Sequence, residues 1–375
     1  MAENGKAVLA PGVRIEKDFL GEKELPDTAY YGVQTLRGAE NFHITGIPMS
    51  TEPYFVKAFG YVKKAAALAN RDLGVLDAKI ADAIVGACDR LIAGEMRDQF
   101  ITDFIQGGAG TSTNMNANEV IANLALESLG RKKGDYAVVN PNDHVNFGQS
   151  TNDVYPTAVK LALHFAIRRL LVEMKNLRSA FEAKAREFDD VLKVGRTQLQ
   201  DAVPMTLGQE FSTYAVMLGE DEQRLAEAGE LIREINLGAT AIGTGINAHP
   251  DYARLVTRRL SEVSGVPFIV SPNLVEATQD AGAFVQLSGV LKRCAVKLSK
   301  ICNDLRLLSS GPRAGLGEIN LPPMQPGSSI MPGKVNPVIP EVVKRRCCDS
   351  IIARPSMGSY AFSCSWPEWA ASVTV

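Results

Sequence analysis

The chain has 375 residues, of which 46% are hydrophobic, and its 40 basic and 42 acidic side chains leave a formal net charge of −2. This length allows two or more domains with a sizeable core. The balanced charge gives no support for binding to nucleic acid. No stretch of about 18 uncharged apolar residues is present, which argues against a membrane span.

The first residues are polar and are not followed by the apolar core of a signal peptide, so we expect a cytoplasmic protein. The six cysteines suit a reducing compartment, because their spacing forms no disulfide framework. The four histidines have no cysteine or histidine partner at ligand spacing. No Gly-x-Gly-x-x-Gly or Walker-type loop suggests a nucleotide site. We therefore expect an enzyme that needs neither a metal nor a bound cofactor.

The first 145 residues contain short helical patterns, at about 52–74, 78–95 and 115–129, separated by turns rich in glycine and asparagine. This pattern predicts a smaller, mainly helical N-terminal domain over residues 1–146.

Longer helical patterns follow at about 153–188, 205–236 and 278–309, and another begins after Pro340. The third repeats apolar residues at alternating spacings of three and four, which is typical of a helix packed lengthwise against other helices. Its apolar positions are Phe284, Leu287, Leu291, Cys294, Leu298, Ile301, Leu305 and Leu308. The sequence therefore predicts an all-α fold, with an elongated bundle of long helices over residues 147–343.

Residues 344–375 differ from the rest of the chain. They hold three of the six cysteines and both tryptophans, Trp366 and Trp369, and helical periodicity stops at Pro355. This change in composition predicts an atypical tail.

Residues 327–337 read GSSIMPGKVNP, which fits neither a helical period nor a strand alternation. Glycines and prolines shape the segment as a loop, and its hydroxyls, backbone N–H groups and lysine suit the binding of a small carboxylate. An ordinary surface turn of this composition is the alternative.

Two further segments, 107–116 (GGAGTSTNMN) and 140–153 (NPNDHVNFGQSTND), each lead into the start of a predicted helix. Their hydroxyl and amide side chains are typical helix caps. The free N–H groups of a first helical turn can also bind an anion, so the two interpretations are compatible. A fourth segment, 195–204 (GRTQLQDAVP), lies between two of the long helices.

Together these four segments resemble the signature motifs of the aspartase/fumarase superfamily, from about Arg14 to Val343. The resemblance implies lyase chemistry on a small carboxylate substrate, L-aspartate or fumarate, and a homotetramer whose sites combine loops of different subunits. It also implies that the C-terminal part of the family fold is missing after Val343. We therefore expect the 375-residue form to be poorly soluble, not to form the normal tetramer and to have little activity.

Within the superfamily, the chain is most similar to aspartate ammonia-lyases, with class II fumarases next. Elimination of ammonia expels a leaving group that already carries its proton, whereas elimination of water needs a group that titrates. Class II fumarases carry histidines at the positions of Gln198 and Asn140, and neither side chain titrates here. This favours ammonia-lyase activity. Class II fumarate hydratase activity and an inactive, truncated subunit stay open as alternatives.

The resemblance also implies roles for individual residues. Ser328 would be the base that removes the β-carbon proton, activated by the N–H groups of its loop and by the cation of Lys334. Asn152 would accept a hydrogen bond from the substrate ammonium. Glu341 would lie behind Gln198, although an acidic residue in the first turn of a helix is an equally good explanation. His144 fits a structural role better than a catalytic one.

The remaining residues of the implied site would bind the two carboxylates. Those for the reacting β-carboxylate are Thr111, Ser150, Thr151 and Ser329. Those for the α-carboxylate are Thr197, Lys334 and Asn336, with Gln198 beside them.

Overall fold

The computed structural model describes residues 12–351, 370 and 372–375, and these are mainly helical. The helices are α1 (Val33–Asn41), α2 (Pro53–Asp72), α3 (Ala78–Ile92), α4 (Thr111–Ser128), α5 (Thr151–Glu187), α6 (Leu207–Leu231), α7 (Tyr252–Ser264), α8 (Leu274–Gln279), α9 (Gly282–Leu308) and α10 (Val338–Ile351). The all-α class predicted from the sequence is confirmed.

The strands form three small two-stranded sheets within the described residues. They are β1 (Val13–Asp18) with β2 (Gly21–Pro26), β3 (Leu192–Thr197) with β4 (Gln200–Thr206), and β5 (Glu234–Ile235) with β6 (Ile269–Val270). The first two sheets are antiparallel hairpins and the third is parallel.

Internal packing divides the chain into two compact units, each built from two stretches of sequence. The first unit runs up to Phe165 and then from Ile232 to Ala281, and the second runs from Ala166 to Leu231 and from Gly282 onward. The division expected from the sequence, into 1–146, 147–343 and 344–375, stays a prediction.

The first unit is built around α4, which is buried along almost its whole length. The neighbouring helices α2 and α3 pack closely against each other, because small residues face their contact. An added Cβ on Gly60 of α2 would lie 3.2 Å from the Cys88 carbonyl oxygen of α3. Apolar side chains of α7, including Val256 and Leu260, complete this core. This packing fixes the N-terminal ends of α4 and α5, where the sequence places part of the site.

The second unit contains the apolar repeat predicted on the third long helix. Six of its eight positions are buried, namely Leu287, Cys294, Leu298, Ile301, Leu305 and Leu308. The prediction of one helix over 278–309 was wrong at its beginning. The short helix α8, capped by the Asn273 side chain, ends at Gln279, and the extended backbone of Asp280 separates it from α9.

Helix α10 begins at Val338, before Pro340, and continues to Ile351. Val343 and Cys347 on it are buried. Near the end of the chain, Asn320 and Thr374 form an isolated antiparallel bridge. The two tryptophans of the expected tail and the polar N-terminal residues lie outside the described residues.

Candidate active site

The Ser328 hydroxyl oxygen is surrounded by backbone N–H donors of its own loop. The N–H groups of Ile330 and Met331 both donate to Ser328 Oγ, each at 3.2 Å. Two aligned dipoles stabilise negative charge on this oxygen, so they lower the free energy needed to form a serine alkoxide. Two N–H donors at this oxygen are compatible with a serine base, and the role of Ser328 stays a prediction.

The two ends of this loop are held together. The Gly327 N–H donates to the Lys334 carbonyl at 2.8 Å, and Asn336 Nδ2 donates to the Gly327 carbonyl at 2.9 Å. An added Cβ on Gly327 would lie 2.8 Å from the Asn336 side chain, so this close approach requires glycine. The side chains of Ser329 and Lys334 are exposed, which leaves them free to meet a ligand.

Glu341 lies in the first turn of α10, and its Oε1 accepts from Arg345 Nη2 at 2.9 Å. An acidic residue in the first turn of a helix commonly pairs in this way with a basic residue one turn later.

Thr197 and Gln198 lie at the tip of the β3–β4 hairpin and are exposed. Gln198 and Leu199 both have left-handed backbone, with φ of 55° and 61°. Positive φ at both central residues is the geometry of a tight hairpin turn, and it is strained for residues other than glycine or asparagine. Such strain is often found at functional sites.

A charged cluster ties this hairpin to the segment that follows α9. Glu318 forms ion pairs with Arg196 and, at 2.8 Å, with Lys193. The two cations hold the pKa of the Glu318 carboxyl below its ordinary value against the opposing effect of burial. Lys193 also pairs with Glu210 of α6, so the hairpin base has a fixed place in the second unit.

In the first unit, the beginnings of α4 and α5 lie side by side. Gly110, which precedes α4, has φ of 94°, and an added Cβ there would lie 2.2 Å from the Tyr155 ring of α5. Glycine therefore allows the Thr111 segment and the Ser150 segment to meet.

The hydroxyl protons of Ser150 and Thr151 are available to a ligand. Ser150 Oγ accepts from the Asn152 N–H at 3.2 Å, and Thr151 Oγ1 accepts from Asn114 Nδ2 at 3.1 Å. Because both oxygens act as acceptors in these bonds, each O–H can still donate, as a carboxylate site requires. In contrast, Thr111 Oγ1 donates to the Gly108 carbonyl at 2.7 Å, so its proton is engaged and its side chain would have to rotate to reach a carboxylate.

The amide of Asn152 has a defined orientation. Its Nδ2 donates to the Ala241 carbonyl at 2.7 Å, and the backbone carbonyl of Asn152 accepts from Asn236 Nδ2 at 3.1 Å. The side-chain oxygen is therefore left as the acceptor, which suits an ammonium group.

His144 is hydrogen-bonded to the backbone of its own turn. Its Nδ1 accepts the N–H of Asn140 at 2.9 Å, within a single π-helical turn, Pro141–Val145. Asn140 Oδ1 in turn accepts from the N–H groups of Asn142 and Asp143, so Asn140 caps this turn.

Among the buried charged residues, Asp153 and Lys63 lie next to the Ser150 segment and were not predicted from the sequence to belong to the site. The carboxylate of Asp153 accepts three N–H groups: Ser150 at 3.0 Å, Gly238 at 3.1 Å and Thr240 at 2.9 Å. Burial raises the pKa of Asp153 to about 7, although these hydrogen bonds and Lys63 oppose the shift. An aspartate in the first turn of a helix resembles an ordinary cap in sequence, so only the partners about 85 residues away reveal its function.

The side chain of Lys63 of α2 contacts the residues that precede Ser150. Its Nζ donates to Asn146 Oδ1 at 2.8 Å and to Gln149 Oε1 at 3.0 Å. Asn146 Oδ1 also accepts from Asn114, the residue that bonds Thr151. Burial lowers the pKa of Lys63 to about 7. In the sequence, the position of Lys63 within the apolar pattern of α2 is the feature that could have indicated a buried lysine.

The structure thus divides the predicted site residues between the two units. Thr111, Ser150, Thr151 and Asn152 come together in the first unit. The second unit holds Thr197, Gln198, Ser328, Ser329, Lys334, Asn336 and Glu341.

Comparison with known proteins gives consistent results. A family model described as Lyase matches residues 21–351. The chain belongs to this lyase family. The resemblance to the aspartase/fumarase superfamily is therefore confirmed, as is the expectation of a lyase.

The relatives with similar sequences include aspartate ammonia-lyases. The enzyme of Helicobacter pylori is 63% identical over 89% of this chain and 72% of its own length. The enzyme of Pseudomonas aeruginosa is 62% identical over 88% of this chain and 70% of its own length. The enzyme of Escherichia coli is 55% identical over 90% of this chain and 71% of its own length.

Solved structures show the same fold. A fumarate lyase:delta crystallin from Brucella melitensis, bound to cobalt, is 51% identical, with a TM-score of 0.92 over 97% of this chain and 85% of its own. The class II fumarase of Schistosoma mansoni is 32% identical, with a TM-score of 0.91 over 97% of this chain and 85% of its own.

Within the part of the chain that the structure describes, no group of three or more histidine, cysteine, aspartate or glutamate side chains could hold a metal ion. None of the helices described there has the length and apolar character to cross a bilayer.

Proposed function

We propose that this chain is an aspartate ammonia-lyase, which reversibly eliminates ammonia from L-aspartate to give fumarate. The observation that carries the proposal is the pair of N–H groups on Ser328 Oγ, in a chain 55–63% identical to three aspartate ammonia-lyases. A serine placed between two such donors can act as an alkoxide base on a carbon acid.

In this reaction Ser328 takes the β-carbon proton, and the electron pair moves into the β-carboxylate to give an aci-carboxylate. Ser150, Thr151 and Ser329 donate hydrogen bonds to the charge that develops there, and Thr111 joins them after its side chain rotates. The electrons then return, the Cα–N bond breaks on the opposite face, and ammonia leaves.

The other end of the substrate is held by a second group of residues. Lys334, Asn336 and Thr197 bind the α-carboxylate, with Gln198 beside them, and Asn152 accepts from the ammonium. Neither Gln198 nor Asn140 titrates, which favours a leaving group that already carries its proton over the expulsion of hydroxide. The similarity to a class II fumarase makes fumarate hydratase the second candidate.

The two groups of site residues lie in different compact units, and the superfamily resemblance implies loops from several subunits at each site. We therefore propose a homotetramer for a chain that carries the C-terminal part of the family fold. We also propose a cytoplasmic location, where aspartate and fumarate are available and the free cysteines stay reduced.

Formation or loss of fumarate absorbance with L-aspartate, and then with L-malate, tests the activity. Conversion of aspartate in preference to malate supports the proposal. Faster conversion of malate would favour a fumarase, and conversion of neither substrate would favour an inactive subunit.

Ser328→Ala tests the assigned base. We expect turnover to fall by several orders of magnitude with little change in thermal stability, because the change removes the base and not a packing contact. Ser309→Ala is the matched control, since Ser309 Oγ bonds only the Arg306 carbonyl, and it should retain normal turnover. Near-normal turnover in Ser328→Ala would show that another group removes the proton.

A further inference from the structure

The loop from Thr240 to Asn247 faces the Ser150 segment across a cavity of about 230 Å³. Residues of both segments line it: Gly148, Gln149, Ser150, Thr240, Ala241, Ile246 and Asn247. Its volume is below the roughly 300–1,000 Å³ of sites for drug-sized ligands, which suits a small ligand. Ser150, on one wall, is a predicted substrate-binding residue, whereas the opposite wall contains no residue that the sequence predicted for the site.

This loop is held rigidly. An added Cβ on Gly238 would lie 2.7 Å from Ala253 Cα, and one on Gly243 would lie 2.3 Å from Val275 Cα, so the backbone packs tightly against α7 and α8. Asp153 fixes the same loop to the Ser150 N–H through its bonds to Gly238 and Thr240. The hydrogen bonds of Asp153 therefore link the two walls of the cavity directly.

Thr240 and Asn247 have left-handed backbone, with φ of 59° and 67°. A β-branched residue in this conformation is strained, and such strain is concentrated at functional sites. The amide of Asn247 is exposed and has no hydrogen-bond partner among the described residues.

We propose that Asn247 is a further substrate-binding residue, whose amide donates a hydrogen bond to a carboxylate oxygen of the dicarboxylate held by Ser150. The proposal rests on the proposed function. The residues that line this cavity are uncharged, so the bound carboxylate needs several neutral donors, and the Asn247 amide adds one from the wall opposite the Ser150 hydroxyl. Asp153 is the positioning residue that sets the distance between these two donors.

Asn247→Gly removes the amide but keeps a residue that adopts left-handed backbone readily. We expect the Kd for fumarate, measured by calorimetry, and the KM for aspartate to rise about tenfold, the usual effect of losing one hydrogen bond to a charged group. Asn247→Asp also suits the backbone and places a negative charge beside the carboxylate, so its effect should be larger. Asn142→Ala, at an exposed asparagine that does not line the cavity, is the control and should bind like the unaltered chain.

Asp153→Asn tests the positioning role. It should lower kcat and raise KM together, whereas loss of stability alone would reduce the amount of active protein and leave KM unchanged. Unchanged fumarate binding in both Asn247 variants, with weakened binding in Ser150→Ala, would overturn the present inference but not the proposed function. If a chain whose residues after Val343 are taken from the Helicobacter pylori relative neither binds fumarate nor converts aspartate, both fail.

Discussion

At the scale of single residues, the direction of each hydrogen bond determines what a side chain can still do. Ser328, Ser150 and Thr151 all accept from N–H groups and therefore keep a proton or a charge available for chemistry. Thr111 donates to a carbonyl and is engaged. Residue type alone treats these four hydroxyls as equivalent, but their partners distinguish them.

Glu119 of α4 is another of the buried carboxylates of the first unit. Its oxygens accept from the N–H groups of Gly32, Gln34 and Thr35 at 2.8–3.0 Å. Burial raises its pKa to about 7, with a smaller contribution from the nearby Glu16, and these hydrogen bonds oppose the shift. These hydrogen bonds hold the N-terminus of α1 against the Glu119 carboxylate of α4.

We predict that Glu119 makes stability fall as pH rises. Its pKa is higher in the folded state than the ordinary value of 4.5, so the folded state binds more protons between about pH 4.5 and 7. The free energy of unfolding should therefore decrease as pH rises through this window. In Glu119→Gln, the free energy of unfolding should decrease less over the same pH range. The groups that face Glu119 are Glu16 with its partner Arg14, and Tyr136.

Urea unfolding at several pH values, from below 4.5 to above 7, measures this effect. Glu127→Gln is the control, because this carboxylate is exposed and bonds the Tyr30 hydroxyl. Equal slopes in the unaltered chain and in Glu119→Gln would contradict the prediction.

At the scale of elements, glycine decides whether the α4 and α5 N-termini can meet. We predict that Gly110→Ala separates them, because the new Cβ would overlap the Tyr155 ring and the backbone is left-handed. The free energy of unfolding should fall by about 1–3 kcal/mol from overpacking, and backbone strain should lower it further. The KM for aspartate should rise, because Ser150 would move. Thermal unfolding and steady-state kinetics measure the two effects.

Gly86→Ala is the matched control for this substitution. Gly86 lies within α3 and an added Cβ there would meet no atom within 4 Å. Because alanine favours a helix over glycine by about 1 kcal/mol, this variant should be slightly more stable and fully active. A Gly110→Ala variant that behaves like Gly86→Ala would show that the close approach is not needed.

At the scale of the whole molecule, apolar side chains on the second unit point to assembly. Val285 and Val296 of α9 are 68% and 49% exposed, and their separation of eleven residues, about three turns, places them on one side of the helix. Exposed apolar residues in line on a long helix are typical of a face covered by another helix. In the proposed homotetramer, that helix belongs to a second copy of the chain.

We predict that changing both valines to lysine weakens assembly, since the charges would have to be buried. Analytical ultracentrifugation is best performed on a chain whose residues after Val343 are taken from the Helicobacter pylori relative. The tetramer should dissociate to smaller species, whereas Val75→Lys, a partly exposed valine of the first unit, should leave it intact. An unchanged sedimentation coefficient in the double variant would place the subunit interface elsewhere.

The sequence by itself determined the features that depend on local pattern. Helical periods identified α2 to α6 and α9 within a few residues, and the composition of 327–337 identified the Ser328 loop. The tertiary structure decided what depends on residues distant in sequence. It brought the Thr240 loop to Asp153 across about 85 residues, turned Gln198 and Leu199 into the tip of a hairpin, and separated α8 from α9 at Asp280. The physical reason is that periodicity indicates which face of a segment is buried, whereas the hydrogen-bond partners of a buried carboxylate depend on how distant segments pack together.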